Sequence, residues 1–312
     1  MPHPDPRSPP PGPAPSTVSP AAPQGGGVSV LTLAKGRRTH LRNLLEGLAR
    51  GTRLPEECIL VDMDMDAAPA PLPPVPFPLR HLHHPSRGLP LAEARNRAAR
   101  AASQPVLVFL DVDCIPAAGL VEVLVHDALA HDALICCEIR YLPADASPGD
   151  SGWEENGLLA RGLRHTVRHF PEGGIRPEPN TGLFWSLCFA VRRDTFLRLG
   201  GFDEAYAGYG AEDTDFAFRA REAGVGLLFT ASTLAFHQHH TVYDPPLQHF
   251  GDILRNASLF RERHGFWPMD GWLADFARLG LIEPPGEGPL RALRHPTEEE
   301  IAQAACGPGR AY

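Results

Sequence analysis

Apolar residues come in short dense runs along this chain, with polar or helical segments between them. VSVLTL (28–33), CILVD (58–62), VLVFLDVD (106–113), ALICCEI (133–139) and LCFAV (187–191) each have the length of a strand. They are apolar on both faces, which is the pattern of strands covered from both sides. After the first run, Leu41, Leu44, Leu45 and Leu48 recur at one-face helical spacing. An alanine-rich stretch, 91–102, precedes VLVFLDVD. This alternation predicts an α/β domain on a mostly parallel, Rossmann-like sheet flanked by helices.

The segments around these runs complete the outline. Residues 1–27 are Pro, Gly, Ser and Ala with few branched side chains, the composition of a disordered tail. Residues 67–90, rich in Pro and His, predict a loop with one short edge strand near Leu79–Leu82. Residues 143–182 lack periodicity, and an irregular stretch of that length reads as a binding loop or lid. A short helix from Asp194 ends at Gly200-Gly201, and another from about Glu212 to Ala223 ends at Gly224. GLLF (226–229) and LAF (234–236) predict two late strands. Phe250, Ile253, Leu254 and Ala257, then Leu273, Phe276 and Ala277, mark apolar helix faces. The expected organisation is a tail (1–27), a main domain (28–245) and a C-terminal helical extension (246–312), whose stripes cover the domain or meet a partner.

Composition narrows the function. At 43% apolar the chain can bury an ordinary core, and its balance of 29 basic against 37 acidic residues (−8) excludes a polyanion groove, so no nucleic-acid partner is expected. No run approaches the roughly 18 apolar residues of a membrane span, and the N-terminus lacks a signal-peptide layout. The six cysteines show no CxxC spacing and several sit in apolar runs, which reads as reduced core thiols in a cytoplasmic protein.

The chemistry concentrates where VLVFL ends in Asp111-Val112-Asp113. Ligands of open parallel sheets bind beyond the carboxyl ends of strands, and an extended chain would point both carboxylates to one side. Their mutual repulsion calls for a compensating cation or ligand, and a hard divalent ion suits them. Aspartates at a strand end also serve as caps for the next helix. A second acidic group, Glu212-Asp213 with Asp215, opens a helix after Gly208-Tyr209-Gly210; acids there also complement the helix dipole. His237-Gln238-His239-His240 follows a short apolar strand, and imidazole is a common metal ligand.

Taken in order, ARN (94–96), FLDVD, GGFDE and GAEDTDFAFR resemble the family-2 glycosyltransferases of the GT-A fold over roughly residues 28–240. The last part (GGFDE…GYGAEDTDFAFR) is also similar to the galactosyltransferase-type GT-A ending. The resemblance implies a hexosyltransferase-type enzyme that moves a sugar from a nucleotide-diphosphate sugar to an acceptor hydroxyl with inversion, aided by Mn or Mg. It implies that Thr32, Ala34 and Arg37 surround the base, and that Asp62 reads it. Met63-Asp64-Met65-Asp66 replaces the family's usual acidic-Gly-Ser pattern, leaving Asp62 or Asp64 for that role. It further implies Arg95 and Asn96 near the uracil and diphosphate, Asp111 at the ribose, and Asp113 on the metal with a histidine, His237 first among His237, His239 and His240. Asp213 becomes the general base and Glu212 a holder of acceptor hydroxyls. Asn180 and Trp185, with Trp153, fall around the irregular segment that should face the acceptor.

Rival readings are a nucleotidyltransferase, a catalytically inactive GT-A scaffold and a metal hydrolase. TLAKGRRTH has one glycine where a phosphate loop needs several, the acidic set is complete, and HExxH or HxxEH spacing is missing. An acceptor carried at a membrane stays compatible with peripheral docking.

Overall fold

The computed structural model describes residues 26–66, 72–146 and 154–307. The expected tail up to residue 25, and Trp153, fall outside the described residues. The first run becomes β1 (Val28–Ala34), buried throughout, and pairs in parallel with β2 (Glu57–Asp62) and β4 (Val106–Leu110). The edge strand β3 (Leu79–His83) joins β2, also in parallel. Beyond β4 the sheet continues through β9 (Cys188–Arg192), β6 (Ala133–Tyr141), β10 (Gly226–His237) and β5 (Cys114–Pro116). Parallel ladders carry most of the paired residues, but β9 runs antiparallel to both β4 and β6, a reversal that its apolar pattern does not reveal. Two short strands, β7 (Leu163–Arg164) and β8 (Ile175–Pro177), pair antiparallel with β6 and β10.

Side chains alternate along these strands into two cores. Val28, Val30, Leu60 and Val108 pack under α1 (Arg38–Ala49) and α3 (Leu120–Ala130), where Leu41, Leu44, Leu45 and Leu48 form the expected stripe. Leu31, Leu33, Ile59 and Phe109 pack under α2 (Leu91–Ala101), α5 (Arg193–Arg198) and α6 (Glu212–Glu222). Phe109 stacks on Phe189 at 4.5 Å and Phe202 on Phe216 at 4.5 Å, so a ring cluster joins β4, β9 and α6. Burying each such ring stabilises the fold by about 2–3 kcal/mol, which fixes α6 against the sheet.

Three expectations are modified. The two late strands are one, β10, whose register to β6 shifts between Thr230 and Leu234. The polar Ala231-Ser232-Thr233 insert breaks the apolar run without breaking the strand. The irregular segment contains α4 (Glu155–Arg161), β7, β8 and a 3₁₀ turn at Thr181–Leu183. Asp111 to Asp113 is a turn leading into β5, with Cys114 N–H donating to Asp111 O at 2.9 Å, so the two aspartates are not on extended chain.

The C-terminal segment forms α7 (Phe250–His264), α8 (Asp270–Arg278) and α9 (Glu298–Gln303). Phe250, Ile253, Ala257, Leu273 and Phe276 make their own core, with Tyr209 and Met269 packed against it. Phe260 of α7 closes on Tyr206, Ala211 and Phe218, so the extension covers the start of α6. No helix among the described residues is long and apolar enough to cross a membrane. Five of the six free cysteines are buried, as expected of core thiols.

At the amino end of the sheet, Glu57 shows how a carboxylate is made part of the frame. It is 5% exposed and accepts from Ser29 Oγ at 2.8 Å, Ser103 N–H at 2.7 Å and Ser103 Oγ at 2.8 Å, with Arg80 at 3.0 Å. Burial works to raise its pKa, and these donors outweigh burial and bring it to about 2.

Candidate active site

The opposite, carboxyl end of the sheet has its switch point between β1 and β4, whose neighbours lie on opposite sides. A crevice at such a point is the usual ligand seat of open α/β sheets. The turn after β4 puts Asp111 and Asp113 there. The β5–β10 ladder pairs Cys114 with His237, and Gln238 N–H donates to Asp113 O at 2.7 Å, which zips the histidine segment onto the acidic turn.

Asp113 is 6% exposed and meets His237 Nε2 at 3.5 Å and His240 Nε2 at 3.6 Å, and the Arg37 guanidinium pairs with it. One ligand atom from each of Asp113, His237 and His240 lies within 4.8 Å of the others. Burial alone would raise Asp113; His237, Arg37 and His240 together hold it below the ordinary carboxylate range. Burial pushes His237 down to about 4 against the pull of Asp113, so its ring is neutral at pH 7 and its nitrogen is free of a second proton. A carboxylate with two neutral imidazoles fits a divalent transition ion. His239 is not in this group among the described residues; its carbonyl oxygen faces His40 Nε2 at 3.2 Å. The segment is held by Asn43 Nδ2, which donates to Gln238 Oε1 at 2.6 Å, while Gln238 Nε2 donates to His40 O at 3.2 Å.

Across the crevice stands the start of α6. Arg95, 4% exposed on α2, donates to Glu212 Oε1 at 2.9 Å and reaches Asp111 Oδ1 at 3.5 Å, lying over the Phe202 ring. One guanidinium therefore ties the two acidic groups together. Asp111 is pushed up to about 7, by burial first, with Arg95 opposing and Asp113 adding. Asp213 is pushed up to about 6, by burial and then by Glu212, against Arg95 and the Thr214 and Ser186 amides. Its Oδ2 faces Ser186 N–H at 3.5 Å. Two residues on, Asp215 is fully buried and held low: Arg219 at 2.7 Å and His264 at 3.0 Å outweigh the burial that would raise it. Asp215 thus fastens α6 to α7.

The approach to α6 is fixed from outside. Asn256 Nδ2 donates to the carbonyls of Ala207, Tyr209 and Gly210 at 3.1, 3.2 and 2.8 Å. Gly208 has φ +74°, and a Cβ there would run into the Asp252 carboxylate; Ala211, with φ +69°, takes a left-handed conformation as α6 begins. The glycines serve a rigid close approach rather than a flexible one. Tyr209 stacks on His249 at 4.4 Å, and burial together with Glu212, Asp213, Asp111 and Asp113 raises its phenol.

The other sequence candidates divide. Thr32 is buried in β1, its Oγ1 without a hydrogen-bond partner among the described residues, and Ala34 ends that strand. Asp62 is 1% exposed and bound to Arg38 at 3.2 Å, His81 at 3.0 Å and the Asp64 amide at 3.0 Å. Asp64 is more open, with Gly36 N–H at 2.6 Å and Arg38 at 3.3 Å. Asn96 bonds the Phe202 carbonyl at 2.7 Å, the Phe202 amide at 2.9 Å and Glu204 at 2.9 Å, so it grips the GGFDE loop. Asn180 is exposed and caps the 3₁₀ turn through Gly182 N–H at 3.1 Å. Trp185 is half-buried beside His165, with ring centres 4.7 Å apart. Asn43 and Asn256 carry no motif of their own, whereas His240 is one of the three histidines the sequence leaves open as the metal's partner. The signal for Asn43 and Asn256 is a polar residue inside an apolar helix stripe, beside Leu44 and Ala257.

The sheet order, the crevice and the acidic groups facing a histidine pair define a GT-A glycosyltransferase architecture. Residues 29–200 match the family described as glycosyl transferase family 2, more than half of the 312 residues, and the chain belongs to that family. Residues 176–241 match the family described as the N-terminal domain of galactosyltransferase. The chain is 27% identical over 174 residues to validoxylamine A glucosyltransferase of Streptomyces hygroscopicus subsp. jinggangensis, covering 49% of this chain and 40% of that protein. It is 30% identical over 161 residues to pre-mycofactocin glycosyltransferase of Mycobacterium tuberculosis, covering 51% of this chain and 32% of that one. The chain thus spans less than half the length of either relative. Two solved structures share the fold. GalNAc-T7 with UDP, GalNAc and Mn²⁺ has a TM-score of 0.53 at 16% identity, over 69% of this chain and 43% of that one. S. aureus TarS 1-349 in complex with UDP has a TM-score of 0.50 at 14% identity, over 80% and 70%.

Proposed function

We propose that the chain transfers a sugar, with inversion, from a nucleoside-diphosphate sugar to an acceptor hydroxyl. The observation that supports this reading is Arg95, which reaches Asp111 and Glu212 at once and so links the turn that bears Asp113 to the start of α6, where Asp213 lies. Thr32, Ala34 and either Asp62 or Asp64 line the base end of the crevice. Arg37 exchanges Asp113 for the diphosphate when the donor binds, because its planar fork suits phosphate oxygens. Asp111 takes the ribose, and Asn96 acts through the loop it grips. Asp113, His237 and His240 would hold a divalent ion, Mn²⁺ rather than the oxygen-seeking Mg²⁺, and that ion would supply charge neutralisation for the leaving diphosphate.

Asp213 takes the acceptor proton. A base with a pKa near 6 is ionised at neutral pH and strong enough to accept a proton as the attacking hydroxyl acidifies. Glu212, neutralised by Arg95, holds acceptor hydroxyls beside it, and Asn180 and Trp185 border the acceptor side. A single displacement needs no second carboxylate nucleophile, in contrast to the two-carboxylate cycle of retaining hydrolysis. The main domain is taken as residues 28–245, with 246–312 as a helical extension that stiffens the base.

The test is incubation with a panel of nucleotide-sugars, UDP-sugars first, with and without Mn²⁺, reading nucleotide release and the anomeric configuration of the product by NMR. Metal-dependent release with an inverted anomer is expected. A retained anomer, or release indifferent to chelation, contradicts the reading.

A further inference from the structure

Arg168 has a role that the transfer machinery above does not use. It is 5% exposed, and its Nε and Nη2 have no hydrogen-bond partner among the described residues. Three rings surround its guanidinium, Trp185 at 4.9 Å, Phe229 at 5.0 Å and Phe170 at 5.3 Å. Such faces attract a cation but accept no directional N–H bond of full strength. Glu138 lines the same recess, with Tyr141 and His165, yet it is already matched by Arg140 at 3.2 Å and Arg164 at 3.0 Å. Among the described residues Arg168 therefore has no carboxylate of its own, and the Cys136 thiol beside it is only a weak acceptor. A buried charge without a partner is costly, and a well-packed apolar residue of the same size would be the cheaper filling if packing were the only requirement.

The recess adjoins the proposed chemistry on two sides. His165 packs edge-on against Trp185, whose neighbour Ser186 presents its N–H to Asp213 Oδ2 at 3.5 Å. Tyr141 lies 5.2 Å from the His237 ring. The recess is tight, lined by Glu138, Ile139, Tyr141, His165, Arg168 and Phe170. Its sheet wall comes from β6, and the facing wall is the irregular stretch 165–174, which carries Arg168 itself.

The geometry points to Arg168 as the anchor of an acceptor subsite for an anionic group, a carboxylate or phosphate carried by the molecule that receives the sugar. The word acceptor rests on the transferase reading; the anion preference itself does not. A planar fork with two unpaired N–H donors suits two oxygens of one carboxylate or phosphate. The Trp185 and Phe170 faces supply the apolar walls that keep the pair strong, and Arg164, largely exposed, draws the anion in.

The experiment is a ligand-observed NMR titration of the full chain with matched probes, glucuronate against glucose and glycerol 3-phosphate against glycerol, at constant ionic strength. The anionic member of at least one pair binds at least about tenfold tighter than its neutral partner, the scale of one charge-assisted hydrogen bond. Which pair discriminates tells carboxylate from phosphate. Arg168→Met erases the preference, and Arg168→Lys, which keeps charge without the fork, retains part of it and serves alone if the Met variant does not fold. Absence of an anion preference in the wild type, whether both members bind or neither does, overturns the proposal, as does a preference that survives in Arg168→Met or is undiminished in Arg168→Lys. Stabilisation by a nucleoside diphosphate with Mn²⁺ is read on the same samples. If it is present without an anion preference, only this subsite falls; if it is absent, the transferase reading fails independently.

Discussion

The two ends of the sheet treat their buried carboxylates in opposite ways. At the amino end, Glu57 collects donors from Ser29, Ser103 and Arg80 until its pKa sits at about 2. At the carboxyl end, burial leaves Asp111 at about 7 and Asp213 at about 6, because the one guanidinium between them, Arg95, is divided between Asp111 and Glu212. The first arrangement is complete and structural. The second is incomplete, and the deficit is what a cationic or proton-donating ligand would fill. Asp215 shows that the difference is not a matter of helix position. It lies two residues from Asp213, is fully satisfied by Arg219 and His264, and is held low.

Substitutions at the two ends should separate cleanly. Asp213→Asn should lower kcat by about 10²–10⁴, the contribution of a positioned base, while donor affinity, measured by calorimetry, stays within a factor of a few. Lost donor affinity with turnover preserved would remove Asp213 from this role. Replacing His240 by Ala should weaken Mn²⁺ binding by about tenfold or more, as losing a ligand-shell contact does; an equal loss in His239→Ala but none in His240→Ala would reassign the triad. The pH profile should show kcat/KM falling about tenfold per unit below the Asp213 pKa of about 6 and level above it. The fold should survive that range. Glu57 has a depressed folded pKa, so its stabilisation is present above the ordinary value of 4.5 and is lost only as pH falls toward about 2. Smallest in turnover, Glu57→Ala should cost about 2 kcal/mol of stability in urea denaturation with kcat unchanged. A catalytic defect there would break the distinction between the two ends.

Much of this was legible in the chain. The Leu41–Leu48 stripe and the both-face apolar runs placed the helices and most strands, because burial on two sides leaves a dense local signature. β10 read as two strands because a polar bulge interrupts its pattern without interrupting its ladder. The acidic groups were visible as motifs, but their partners were not. Arg37 reaches Asp113 across 76 positions and Arg95 reaches Glu212 across 117. The sequence ranks His237 first because it follows the strand directly; His240 joins it in the fold, where Asn43 of α1 holds Gln238. The rigidity of the approach Gly208-Tyr209-Gly210 is hidden for the same reason, since Asn256 and Asp252, which fix it, belong to a helix whose register with α6 is set by tertiary packing.

The most direct test of the central claim is thermal stability with nucleoside diphosphates, each with and without Mn²⁺, in the wild type and in Asp113→Ala. Stabilisation by one nucleotide only when the metal is present, abolished in Asp113→Ala, is the predicted result. Stabilisation that ignores metal, or a folded protein unmoved by any nucleotide, would contradict it and leave the carboxyl-end acids as a scaffold without a donor.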